Sequence, residues 1–313
     1  MPVSNSSKSI MHASTSEETL ERLSWGFFSN AKRLRPVHSL CLWIDISGFA
    51  AALSNCNWDL ELAQEKGLMG ILSDVYSIAA LPRLVQYPPK SSERTLVLND
   101  GIARTIDVIG PGDVEKEQWL FYIRDTLVAH YILVPKLREK ELSIRSVFAG
   151  GQRVQYAPVR VTGKSFLNYD KDRMTKDTRK FLNQELVNHP VQFQMNTAFS
   201  RAYLIEKAGR QKGINPNRIY VEDTFIEVLK RAMPGCVSLI RKGGEGRIEF
   251  GWDGKTMLHL SYDKEIPIEL EYLKSDVFQL SDLVVYESLE GETTEFPLRP
   301  DEMNWKPPRP IIV

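Results

Sequence analysis

The sequence predicts an α+β fold: a mixed, mainly antiparallel sheet flanked by helices, followed by a β-rich C-terminal extension. Three observations carry this. Leu40-Cys41-Leu42-Trp43-Ile44 is a continuous apolar run of the kind found in buried strands. Asn99-Asp100-Gly101 falls between two strand-like runs, and Asn or Asp before Gly is a strong hairpin signal. From Cys236 onward, short strand-like runs are separated by turns at Gly243-Gly244 and Asp253-Gly254. The chain divides accordingly into an N-terminal arm and short helix (1–37), a main domain (38–232) and the β-rich extension (233–313).

In order, residues 1–14 are polar and serine-rich and form an arm. Thr15-Ser16-Glu17-Glu18 has capping-box spacing, and Leu20, Leu23 and Phe27 follow at helical intervals until Pro36. The apolar strand ends in Asp45-Ile46-Ser47-Gly48-Phe49. A helical stretch from Ala50 to about Ala80 comes next, closed by Pro82, Pro88 and Pro89. Thr95–Leu98 and Ile102–Val108 form the hairpin. Residues 114–134 form a long helix that Pro135 kinks or ends. Leu142–Tyr156 makes one or two strands around Gly150-Gly151. Residues 171–180 are a helix start or a solvated loop. A helix over 195–209, a strand over 218–222 and a helix over 224–231 follow. The extension carries strands over 237–241, 247–252 and 257–262 and a Pro-rich coil after Trp305.

Composition excludes several classes. The chain has 313 residues, 42% hydrophobic and 26% charged, so it can bury a core and is not wholly disordered. Forty basic residues balance forty acidic ones, which argues against a bulk electrostatic grip on nucleic acid or an anionic membrane. Cys41, Cys56 and Cys236 form no CxxC pair, and the five histidines show no ligand spacing, so a zinc site or disulfide scaffold is not expected. No apolar run approaches the roughly 20 residues of a membrane span, and no signal pattern opens the chain. The expected location is the cytoplasm.

The sharpest chemical feature is a pair of acids at predicted strand ends. Asp45 ends the buried strand and Asp100 sits at the hairpin tip. Taken singly, Asp45 reads better as a helix cap and Asp100 as a turn residue; taken jointly, the site reading gains. If the hairpin pairs beside the first strand, both carboxylates project together, an arrangement that suits Mg²⁺ or Mn²⁺ and leaves ligand positions for phosphates. Ser47-Gly48-Phe49 then enters a helix, whose free N–H groups favour an anion.

Trp43-Ile44-Asp45-Ile46-Ser47-Gly48-Phe49 resembles the first strand of class III nucleotidyl cyclases, whose motif runs apolar-x-Asp-Ile-x-Gly-Phe. Leu98-Asn99-Asp100-Gly101 resembles the hairpin with their second metal aspartate. Met195-Asn196-Thr197-Ala198, Ala202-Tyr203-Leu204-Ile205-Glu206-Lys207-Ala208 and Pro216-Asn217-Arg218-Ile219 are similar to a later helix and strand of the Pycsar pyrimidine cyclases. These are a bacterial antiphage group. The matches run in order over about residues 38–262.

The resemblance implies two Mn²⁺ or Mg²⁺ ions on Asp45, Asp100 and the Ile46 carbonyl, with Ser47, Gly48 and Phe49 along the triphosphate. It implies Asn196 at the ribose and an arginine on transition-state charge. That arginine is displaced by one position to Arg201, so Arg145 or Arg104 is an alternative source. Arg145-Ser146 stands where Arg-Gly is usual, and Leu96 stands where a purine-selecting lysine is expected. The implied activity is cyclisation of UTP, or CTP, in a homodimer with composite sites. The product would act on a cyclic-nucleotide-binding effector protein, with no nucleic acid or membrane partner. Two other readings are a cyclase-like nucleotide-binding module without catalysis and an α+β interaction protein with structural acids.

Overall fold

A computed structural model describes residues 35–80, 93–108, 113–155, 175–184, 193–286 and 293–303. The arm, the first helix up to residue 34 and the coil after Trp305 lie outside these residues. Two compact units are present, one of residues 1–36 and 154–194, the other of 37–153 and 195–313. Within the first, the main described element is a helix, Lys176–Asn183.

The second unit is a mixed α+β assembly. Strand β1 (Arg35–Ser47) has Leu40 to Ile44 and Ile46 almost wholly buried, as its apolar run requires. Gly48 follows at φ 96°, a left-handed conformation that glycine adopts without strain. The helical stretch expected over 50–80 is divided into α1 (Phe49–Ser54), α2 (Leu60–Glu65) and α3 (Leu68–Val75), the last continuing as a π-helical turn, Tyr76–Ala80. The breaks have local causes. Asn57 and Trp58 take positive φ, Asp59 caps α2 by accepting from Glu61 N at 2.8 Å, and Gly67 at φ 79° ends that helix.

Strands β2 (Arg94–Leu98) and β3 (Gly101–Val108) form the expected hairpin, and β3 is buried throughout. Helix α4 (Asp113–Arg138) runs through Pro135 instead of ending there. Leu133, Val134 and Leu137 are fully buried around the proline, so packing holds the helix across the missing N–H. Residues 143–155 form one strand, β4 (Ser143–Gln155), not two. With Lys176–Asn183 as α5, the rest are α6 (Thr197–Ala208), β5 (Arg218–Glu222), α7 (Asp223–Ala232), β6 (Val237–Lys242), β7 (Glu245–Trp252), β8 (Lys255–Leu270), β9 (Leu273–Tyr286) and β10 (Thr293–Pro297).

All ten strands join one sheet, in the order β2-β3-β1-β4-β5-β9-β8-β7-β6, with β10 also on β9. Strands β4 and β5 run parallel, while β1–β3, β2–β3, β5–β9 and the pairs beyond are antiparallel. The sheet therefore runs unbroken across the expected boundary at 232. Long β8 and β9 bridge it, because Tyr220 of β5 pairs with Gln279 and Val221 with Phe278. Among the described residues no helix is long and apolar enough to cross a membrane.

Candidate active site

Strand β1 ends where β3 begins. Their register sets Asp45 opposite Gly101, and Ile46 N donates to the Asp100 carbonyl at 3.1 Å. The two acids thus come from adjoining strand ends. Gly101 is needed here, since a Cβ would fall 2.5 Å from the Trp43 ring. Trp43 in turn packs edge-on against Phe199 and Tyr203 of α6, at 5.7 and 5.5 Å between centroids. The hairpin tip is also held by Tyr76, whose phenol donates to the Asn99 carbonyl at 2.5 Å.

Burial pushes the Asp100 carboxyl above its ordinary value. Its own backbone N–H opposes that, the charge of Asp45 adds to it, and Lys207 opposes it. The Asp45 carboxylate receives Ser47 Oγ at 3.5 Å and faces Arg145 Nη2, also at 3.5 Å. The same Nη2 lies 2.6 Å from Glu206 Oε1, and Glu206 is fully buried. Desolvation raises the Glu206 carboxyl and the charge of Asp45 adds to it, while Arg145, Lys207 and the Trp43 indole pull the other way.

One chain therefore brings together Asp45, Asp100, Ser47 and Arg145, with Gly48 just beyond. Phe49 is 4% exposed and belongs to the core, and Ile46 is buried. Leu96 sits half-buried on β2 opposite Ala103. Asn196 is elsewhere. It caps α6 by accepting from Phe199 N at 3.1 Å, and its Nδ2 donates to Thr105 Oγ1 at 3.1 Å and Ser39 Oγ at 3.3 Å. Ser39 is six residues from Asp45 along β1, or about 20 Å at the usual strand rise. Arg201 pairs with the fully buried Glu222 and donates to Ser275 Oγ at 3.3 Å. Arg104 is buried against Glu93 at 2.5 Å. Among the described residues no group of three or more His, Cys, Asp or Glu stands where it could hold a metal ion.

Sequence reasoning named Glu206 and Lys207 only as part of a motif and gave them no role. The available signal was spacing: Ala198, Ala202, Ile205 and Glu206 share the buried face of α6.

No protein-family model matches the sequence, and no curated protein does. Among solved structures, the crystal structure of the guanylyl cyclase Cya2 is similar at 11% identity and a TM-score of 0.39, covering 79% of this chain and 93% of that one.

Proposed function

We propose that this chain is a metal-dependent nucleotidyl cyclase that converts UTP, or CTP, to the 3′,5′-cyclic monophosphate and pyrophosphate. The observation that carries the reading is the β1–β3 register, which sets Asp45 beside the Asp100 turn. The Asp45 charge adds to the raised proton affinity of the Asp100 carboxyl, and two hard carboxylates so placed are a donor set a divalent cation would relieve. Asp45, Asp100 and the Ile46 carbonyl would hold Mn²⁺ or Mg²⁺, which supplies Lewis-acid polarisation of the ribose 3′-oxygen and the triphosphate.

The reaction joins the 3′-oxygen to the α-phosphorus, breaks the bond to pyrophosphate and releases the hydroxyl proton. The chain's part is positioning. Ser47 steadies the Asp45 carboxylate, Gly48 lets phosphate approach the backbone, and Arg145 offers a guanidinium beside the reacting group. Leu96 offers no charged group to a base, which is the ground for a pyrimidine over a purine. The remaining contacts, with Arg201 first among them, would come from α6 of a second copy in a homodimer. Asn196 holds the start of that helix. The product would signal to a cyclic-nucleotide-binding effector in antiphage defence.

A cyclase-like binding module without turnover is the second reading. The engagement of Asn196 and Arg201 within their own chain favours it. Incubation with all four ribonucleoside triphosphates and Mn²⁺ separates the two. A cyclic pyrimidine monophosphate is expected from the wild-type chain and none from Asp45→Ala or Asp100→Ala. Binding without product supports the module, and near-normal turnover in either variant refutes the metal assignment.

A further inference from the structure

Arg145 stands between two carboxylates of unequal grip. It lies 2.6 Å from Glu206 Oε1 and 3.5 Å from Asp45 Oδ2. Its second terminal nitrogen, Nη1, donates to the Glu206 backbone carbonyl at 3.4 Å, near the C-terminus of α6, where the helix dipole favours a cation. Glu206 is wholly buried, so its charge requires a fixed partner, and removing that partner would leave it uncompensated. The Asp45 and Arg145 side chains are 15% and 16% exposed. The Asp45 pair is loose and its carboxylate within reach of solvent, whereas the Glu206 contact is short and its carboxyl fully buried.

We propose that Arg145, anchored by the buried Glu206, is an internal cation that occupies the Asp45 carboxylate until a divalent metal displaces it. The proposal rests on the reading of Asp45 and Asp100 as metal ligands. Glu206 is then a positioning residue. It keeps the guanidinium beside the site after the metal has taken Asp45, and it keeps Arg145 from closing fully on Asp45 beforehand. Metal entry needs only the weaker, 3.5 Å contact to open.

The test is Mn²⁺ binding to the full chain without nucleotide, read from the electron paramagnetic resonance of free Mn²⁺. Arg145→Met removes the competing cation and should bind Mn²⁺ about two- to fivefold more tightly, the scale of a partly exposed ion pair. A merely structural role would not tighten binding. Glu206→Gln frees Arg145 to settle on Asp45 and should weaken binding severalfold. In the Arg145→Met background the same change should have a much smaller effect. The double variant lacks both charges of the buried pair and so retains a compensated interior. Binding that Arg145→Met leaves unchanged or weakens, or a Glu206→Gln effect equal in both backgrounds, overturns the proposal while leaving the metal site standing. No Mn²⁺ binding by wild type and Arg145→Met alike overturns the metal reading and this proposal with it.

Discussion

At the scale of single residues, Asp100 carries the clearest electrostatic cost. Desolvation and the neighbouring Asp45 hold its carboxyl above the ordinary value, so the folded chain binds that proton more tightly than the unfolded chain. The stability this contributes is fully present below the ordinary carboxylate pKa and is lost as pH rises through the raised folded value. Glu206 shifts in the same direction. Metal-free protein should therefore lose stability from about pH 4 upward. Asp100→Asn removes one contributor, so the variant should melt higher than wild type at pH 7 and show a flatter pH dependence. Thermal unfolding with a chelator present between pH 4 and 8 measures this, and a variant that melts lower at pH 7 would contradict it. Asp45 and Asp100 were legible in the sequence because each lies beside a local signal, an apolar run and an Asn-Asp-Gly turn. Glu206 was not, since an acid within a helix is ordinarily solvated. Only tertiary packing reveals that this one faces inward, under Trp43 and beside Arg145.

At the scale of elements, the start of α6 shows how one side chain can hold three pieces. Asn196 caps the helix and ties it to β1 through Ser39 and to β3 through Thr105. Loss of a cap alone costs about 1 kcal/mol. Leaving buried hydroxyls short of a donor adds a similar amount, about 1 kcal/mol or more. Asn196→Ala should thus destabilise the chain by about 2 kcal/mol in denaturant unfolding, and Asn196→Asp, which keeps the cap, by less. Equal stability of the alanine variant and wild type would show that the cap and its ties are dispensable. The breaks within the helical stretch have a common cause. Propensity joins residues 50–80 into one helix, but Asp59 and Gly67 act on the backbone locally and divide it. Pro135 is the opposite case, where the helix continues because burial outweighs a local breaker.

At the scale of the whole molecule, the described strands of the main domain and of the C-terminal extension lie in one sheet. Nothing in the runs after Cys236 announced that β9 would return to β5, because such pairing is non-local and leaves no periodic trace. Its consequence for dissection is direct. A chain cut after Ala232 loses β9 and bares an edge of β5, whose residues Ile219, Tyr220 and Val221 are fully buried in the intact sheet. Unpaired apolar edges template association. The truncated chain should be largely insoluble, measured as soluble fraction and by light scattering beside the full chain, and a soluble, folded monomer would disprove the dependence. The same pairing sets a timetable for synthesis. Tyr220 leaves the ribosome 59 residues before Gln279, the partner that will cover it. At ordinary elongation speeds that is an interval of roughly 3–12 s. During it, the acids of β1 and β3 can already have met, while the middle of the nascent sheet still waits for its neighbour and is open to chaperones or to another emerging copy.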